Sequence, residues 1–172
     1  FWCTNLQDGL IWWDGASTGT VTAAPKAKII QHFRNRILLG GVVGARSSIY
    51  LSGDVDGTDW TIGSASTSPA IISIGGVNDG DALRCLMGPY QDVILIGKDH
   101  SLAALSGFDN NDFAVREMSR EVGCLDPTSA QEMDNAMVWL SRRGLERMSG
   151  SDIDWKVGQN VRDIIDSIIA NS

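Results

Sequence analysis

The acidic side chains of one short segment, IYLSGDVDGTDW (49–60), have the types and spacing most able to do chemistry. Asp54, Asp56 and Asp59 bring carboxylates together around a glycine, which resembles part of a calcium-binding loop. An EF-hand loop that began at Asp54 would need a glutamate at its twelfth position, and Ala65 stands there. The segment therefore predicts a strand-connecting turn, with Asp54, Asp56 and Asp59 kept as weak metal candidates.

Two other acidic segments, NDGD (78–81) and DNND (109–112), have a similar composition and are also expected to be turns. A pair of carboxylates could hydrolyse a glycosidic bond if the two groups stood about 5–9.5 Å apart across a cleft. Spacing along the chain does not reveal such a separation, so glycoside hydrolysis is a distant alternative.

The histidines and cysteines have no catalytic or metal-binding spacing. His32 and His100 lie near the ends of predicted strands without a GxSxG motif. Cys3, Cys85 and Cys124 are far apart and form no CxxC pair, so each is expected to be a small buried hydrophobe. The GG pairs also lack the third glycine and the helix of a dinucleotide-binding loop. The sequence predicts no catalytic residue, no cofactor and no enzymatic activity.

Composition favours short strands. The chain has 172 residues, close to one domain, and its 19 glycines and 6 tryptophans lie between short apolar runs. The net charge of −7 disfavours a nucleic-acid partner, because such partners bind clustered Lys and Arg. The pairs Arg34/Arg36 and Arg142/Arg143 are expected to protect strand edges. Apolar runs fall well short of the ~20 residues of a membrane helix, so no membrane association is expected.

Similar corners recur along the chain, and this repetition is the main clue to the fold. An apolar run ends in Ser or Asp and then Gly in WWDG, YLSG, ALSG and RMSG, which close at Gly15, Gly53, Gly107 and Gly150. The spacing is irregular but close to the ~40–50 residues of a four-stranded propeller blade. Repeated four-stranded units are therefore expected.

Each unit can be divided into strands. The first complete unit contains KIIQHF (28–33), RILLGGVV (36–43), SIYLSG (48–53) and DWTIG (59–63), and similar units follow over 81–119 and 129–158. GLIWWDG and TVTAAP, near the start, are expected to be outer strands of a blade whose inner strands precede Phe1. The second strand of each complete unit is almost wholly apolar, which predicts cover on both faces.

The last residues break this pattern. NVRDIIDSIIA (160–170) has isoleucines and a valine at helical spacing after an asparagine that could cap a helix. The sequence thus predicts propeller blades over 1–158, the first of them truncated, and a short amphipathic helix over 159–172. The residues expected to carry the fold are Trp13, Phe33, Leu51, Trp60, Leu105, Trp139 and Trp155.

Several of these segments match a known pattern: FRNRILLGG (33–41), IYLSGDVDGTDW (49–60), HSLAALSG (100–107) and MVWLSRRGLERMSG (137–150). With them the chain resembles the β-propeller domains of bacteriophage virion proteins of the tail-hub or tail-nozzle type, from short-tailed phages. The resemblance implies an all-β fold, a segment of about three to four four-stranded blades with a short C-terminal helix.

The same resemblance implies a structural and non-enzymatic role in a phage tail or head–tail assembly. The implied partners are other virion tail proteins and further copies of the chain in a symmetric homo-oligomer. The implied location is the virion tail, assembled in the host cytoplasm, where DNA could pass without sequence-specific binding.

A carbohydrate-binding propeller that recognises host surface glycans is the alternative function. It depends on the tryptophans Trp12, Trp13, Trp60, Trp139 and Trp155, which lie on or beside predicted strands. Buried tryptophans would pack between blades, whereas exposed ones would offer a stacking platform for sugar rings.

Overall fold

A computed structural model of the chain describes residues 1–75, 79–154, 157–158, 163 and 166–167. Over this part the protein is all-β, with fifteen strands in four antiparallel sheets. In each sheet the strands are hydrogen-bonded in chain order, so every sheet is a simple meander. The predicted all-β class is confirmed.

The sheets follow one another along the chain. The first contains β1 (Trp2–Asn5), β2 (Gly9–Trp13) and β3 (Thr18–Val21), and the second contains β4 (Ile29–Phe33), β5 (Arg36–Gly40), β6 (Ser48–Leu51) and β7 (Ala70–Ser73). The third contains β8 (Leu83–Tyr90), β9 (Val93–Lys98), β10 (Leu102–Ser106) and β11 (Ala114–Ser119). The fourth contains β12 (Gln131–Met133), β13 (Ala136–Ser141), β14 (Gly144–Ser149) and β15 (Asp152–Asp154).

Most predicted strands are confirmed, and two predictions need correction. DWTIG (59–63) is not a strand, because Trp60 is drawn into a core and its indole N–H donates to the Gly57 carbonyl at 2.9 Å. The fourth strand of that sheet is β7, which pairs with β6 after a long connection. The first sheet also has one strand more than expected, since the short segment β1 pairs with β2.

Cores lie between consecutive sheets, and strands in the middle of a sheet contribute to two of them. On β9, Ile94 and Ile96 belong to the core shared with the second sheet, whereas Leu95 belongs to the core shared with the fourth sheet. On β5, Leu38 and Leu39 divide in the same way between the third and first sheets. The predicted cover on both faces is confirmed for the second strands β5 and β9, whereas β13 contributes to one core only and its Val138 and Leu140 are partly buried.

The sheets approach one another most closely at their first strands. β4 contacts β8, and β8 contacts β12, whereas no comparable contact joins β7 to β11 or β11 to β15 in the described residues. The second strand of the second sheet, β5, contacts the first strand of the third sheet, β8. In the same way, β1 of the first sheet contacts β4, the first strand of the second sheet. β1 therefore occupies the place of a second strand, and no described residue fills the first-strand place in that sheet.

The connections between strands fall at two opposite ends of the sheets, because the strands alternate in direction. One end carries the turns after β2, β4, β6, β8, β10, β12 and β14, and we call it the acidic end. Its described aspartates are Asp14, Asp54, Asp56, Asp59, Asp92, Asp109, Asp112, Asp134 and Asp152, against the cations Arg34 and Arg36. The opposite end, which we call the basic end, carries Lys26, Lys28, Arg46, Arg84, Lys98, Arg120, Arg142 and Arg143. The described connections at this end also hold Asp8, Asp79, Asp81, Asp99, Glu121 and Asp126.

Of the residues expected to carry the fold, those that the structure describes are buried with one exception. Phe33, Leu51, Trp60, Leu105 and Trp139 are all buried. Trp13 is 52% exposed and was wrongly placed in the core, because it lies on the face of the first sheet that no described sheet covers. Trp155 and almost all of the predicted helix over 159–172 lie outside the described residues.

The stacked cores predict a large difference between two isoleucines. Ile96→Ala should lower the free energy of unfolding by about 2–4 kcal/mol, because the side chain is fully buried between two sheets. The same change at Ile71, 47% exposed on β7, should cost roughly 1 kcal/mol or less. Urea denaturation of both variants measures the difference, and equal losses would contradict the arrangement of the sheets.

Candidate functional site

A long connection at the acidic end, residues 52–69, is held in place by a buried arginine. Arg36 is 1% exposed, and its guanidinium donates to the backbone carbonyls of Ser52 at 2.7 Å, Ser68 at 2.8 Å and Ser66 at 2.7 Å. Burial lowers the pKa of Arg36, and the nearby charges of Asp54 and Asp109 oppose that shift. The expectation that Arg36 protects a strand edge is wrong, since the side chain fixes a loop instead.

The predicted turn DNND supplies a second attachment for this loop. The Asn110 side chain donates to the carbonyls of Ala65 at 3.0 Å and Ser68 at 2.7 Å. Asp112 holds the turn itself, because its Oδ1 accepts the N–H groups of Phe108 and Asp109, both at 2.8 Å. These backbone donors lower the pKa of Asp112. The loop of the second sheet is thus joined to a turn of the third.

The weak metal candidates Asp54, Asp56 and Asp59 all lie in the long loop. Asp56 Oδ1 accepts the hydroxyl of Thr58 at 2.6 Å and its backbone N–H at 2.8 Å, and these bonds lower the pKa of Asp56. Asp59 Oδ1 accepts the N–H of Thr61 at 3.0 Å. Two of the three carboxylates therefore hold local turns. No group of three or more His, Cys, Asp or Glu side chains in the described part of the chain could hold a metal ion.

The long loop presents apolar side chains to solvent. Val55 is 80% exposed and Ile62 is 56% exposed. Phe108, in the neighbouring turn, is 66% exposed and carries the Arg34 guanidinium 3.9 Å from its ring centre. Val55 has a φ of 54°, and the left-handed region costs a β-branched residue about 1–3 kcal/mol. Because strained backbone clusters at functional sites, Val55 marks this loop as a candidate contact surface.

A pocket of about 530 Å³ opens at the basic end. Turns of the first three sheets meet there with the connections that join successive sheets. Three cations and one carboxylate line it: Lys28 leads into β4, Arg46 lies between β5 and β6, Arg84 is on β8, and Asp99 forms an ion pair with Arg84. Its apolar wall consists of Leu6, Ile29, Val42, Val43, Leu83 and Leu125. The pocket therefore combines positive charge with an apolar surface.

A buried lysine fixes the connection between the second and third sheets. Lys98 is 3% exposed and its ammonium forms an ion pair with Asp79, while the Asp81 carboxylate lies 3.8 Å away. Asp81 also accepts the backbone N–H of His100 at 2.9 Å. Two residues of the predicted turn NDGD are therefore part of an internal ion-pair cluster, and Asn78 lies outside the described residues.

The histidines and cysteines are placed as follows. His32 and His100 are exposed, the first on β4 and the second in the turn after β9. Cys85 and Cys124 are buried side by side, where a hydrogen bond to Cys124 and burial raise the pKa of the Cys85 thiol. The prediction of small buried hydrophobes is confirmed for these two and wrong for Cys3, which is exposed on β1.

Sequence reasoning missed the cations of the pocket and the role of Lys98. Lys28, Arg46 and Arg84 are far apart along the chain and share no motif. Their common property is that each lies near the basic end, which would emerge only after the direction of every strand had been assigned. The signal in the sequence was clearer for Lys98, which is the last residue of the apolar strand VILIGK. A lysine buried at that position needs a partner of opposite charge.

The arginine at the acidic end yields a direct test. Arg36→Met should destabilise the fold by about 2–4 kcal/mol and make residues 52–69 sensitive to protease, because buried carbonyls would lose their donor. Arg116→Met, on an exposed position of β11, serves as the matched control. Denaturation and limited proteolysis check this, and an intact loop in the Arg36 variant would contradict the assignment.

The Lys98 cluster predicts a dependence on pH. The hydrogen bond from Lys98 lowers the pKa of Asp79 in the folded protein, so ionised Asp79 stabilises the fold above the unfolded pKa of about 3.9. This contribution disappears as the pH falls through the folded pKa. Asp79→Asn should therefore cost about 2 kcal/mol at neutral pH and progressively less below about pH 4. Urea unfolding across this range measures it, and a loss independent of pH would contradict the ion pair.

No helix in the described residues is long and apolar enough to cross a membrane. The chain matches no protein-family model and no curated protein. The surfaces at the two ends of the sheets are therefore the features from which a function can be derived.

Proposed function

We propose that the chain forms an arc of a β-propeller, with each sheet as one blade. The observation that carries this proposal is the contact of β4 with β8 and of β8 with β12, without comparable contact between the last strands of the same sheets. Sheets that converge at one edge and diverge at the other radiate from an axis, as propeller blades do. Chain-order meanders and cores between successive sheets also support it.

The proposed role is that of a structural, non-enzymatic interaction module in a phage tail or head–tail assembly. The resemblance of FRNRILLGG, HSLAALSG and the related segments supports the phage setting. The long loop supports the interaction role, because Arg36 and Asn110 hold it while Val55, Ile62 and Phe108 remain exposed. A fixed loop forms a contact with a smaller loss of conformational entropy than a mobile one.

In this proposal the partners are other virion tail proteins and further copies of the chain in a symmetric ring. The protein is assembled in the host cytoplasm and resides in the tail. The net charge of −7 suits passage of DNA without binding, since phosphates would be repelled by most of the surface.

The loop surface provides the test of this function. Val55→Gly combined with Phe108→Ser should abolish incorporation of the protein into tail assemblies, since both apolar contacts are removed. Folding should survive because glycine is better suited than valine to a φ of 54°. Ile71→Ser, which removes an exposed apolar side chain from an outer strand, is the control and should still assemble. Cryo-electron microscopy of purified particles gives the readout, and normal incorporation of the double variant would overturn the role of the loop.

One observation favours the second candidate function, recognition of host surface glycans. Trp13 is 52% exposed beside the 78% exposed Phe1, and the backbones of these two residues are hydrogen-bonded to each other at 2.7 and 2.9 Å. Neighbouring exposed aromatic rings can stack on a sugar. This face is also where a preceding blade would pack, which makes glycan binding the second candidate.

A glycan array separates these possibilities. The glycan hypothesis predicts binding that disappears in Trp13→Ala and persists in Phe108→Ala, an exposed aromatic at a different site. The structural proposal predicts no glycan binding by the unmodified protein or by either variant.

A further inference from the structure

We propose that the pocket at the basic end is a second binding site, which takes an extended segment of another protein carrying acidic and aliphatic side chains. It lies at the opposite end of the sheets from the long loop. The site is defined by Lys28, Arg46 and Arg84 around an apolar wall, and its volume is about 530 Å³. Specific ligand pockets commonly have this combination of apolar lining and a few polar groups.

The protein itself neutralises only part of the positive charge of the pocket. Lys28 and Arg46 are exposed and make no side-chain hydrogen bond or ion pair with any described residue. Arg84 forms an ion pair with Asp99 through Nε, which leaves its terminal nitrogens without a described acceptor. An acidic chain of net charge −7 thus has cations gathered here that remain available to a ligand.

The apolar wall selects among anions. Val43 is 79% exposed at the pocket, and Leu6, Val42 and Leu125 are only partly buried. A free phosphate or sulfate would leave this surface in water, whereas an aliphatic side chain next to a carboxylate would cover it. Covering apolar surface contributes about 25 cal/mol per Å², so the wall favours a peptide over an inorganic anion.

Other anionic partners fit less well. Nucleic acid binds through many cations arranged along a backbone, and this pocket offers Lys28, Arg46 and a partly neutralised Arg84. A second copy of the chain would have to present its acidic end. There, Asp56, Asp59, Asp109 and Asp112 accept backbone hydrogen bonds within their own tight turns. Such turns do not provide the extended segment proposed here.

Several units of the fold contribute to the pocket. Leu6 belongs to the β1–β2 turn, Lys28 and Arg46 flank strands of the second sheet, Arg84 lies on the third sheet, and Leu125 leads toward the fourth. The site therefore exists only when the sheets are stacked. Its cations do not contribute to the cores, so they can be replaced without loss of the fold.

The test uses selection of random peptides displayed on particles against the immobilised full chain, followed by fluorescence polarisation with the selected peptides. The proposal expects Asp or Glu next to Leu, Ile or Val among these peptides. It also expects affinity that weakens with added salt.

Two charge-reversed variants decide whether the pocket is responsible. Lys28→Glu with Arg46→Glu should weaken binding by about tenfold or more. Arg116→Glu with Arg142→Glu changes the net charge equally at exposed positions away from the pocket, and it should change binding by less than about twofold. Circular dichroism and thermal melting confirm that both variants are folded.

Several results would overturn the proposal. The first is selection of peptides without acidic residues. The second is an equal loss of peptide affinity in the two charge-reversed variants, and the third is no selection above background. Binding of a single-stranded DNA probe that disappears in the Lys28/Arg46 variant would identify a phosphate site instead. Self-association that disappears in the same variant would identify a second copy as the occupant. The loop variant Val55→Gly/Phe108→Ser should bind the peptides normally, which separates this site from the proposed assembly function.

Discussion

Burial of both faces of the inner strands in the second and third sheets is the constraint on which the rest of the structure depends. On β9, Ile94 and Ile96 pack toward the second sheet while Leu95 packs toward the fourth, so the strand is stable only with a neighbour on either side. A sheet of three or four short strands cannot bury such a surface alone. The sheets must therefore stack in sequence, and the stacking determines where every turn emerges.

Stacking also explains the two buried cations. Stacked sheets cover part of the connections within and between them, and the buried backbone groups of those connections must find partners away from water. Arg36 supplies donors to the long loop at the acidic end, and Lys98 binds the Asp79 and Asp81 carboxylates at the basic end. Both charged side chains thus serve the fold, and they leave the exposed loop and the pocket to make contacts with other molecules.

Much of the fold could be predicted from the sequence, because apolar strands such as DVILIG and turn glycines such as Gly107 mark local structure directly. The strand DWTIG was wrongly predicted, since the burial of Trp60 depends on a core with distant residues. β1 was missed because its segment, WCTN, contains no apolar run long enough to indicate a strand. The two surfaces could not be predicted from the sequence. The exposure of Val55 depends on the attachment of its loop to Arg36, and the pocket requires residues of the first three sheets to meet the connection that leads to the fourth.

Distances between spin labels would test most directly whether the sheets radiate from a common axis. With the exposed Cys3 replaced by serine, one label pair would be placed at His32 and Glu132, on first strands β4 and β12, and another at Ile71 and Asp152, on last strands β7 and β15. A fan of sheets predicts that the last-strand pair is farther apart, by more than about 10 Å, the spacing of one packed sheet. Equal distances, or a longer first-strand distance, would contradict it.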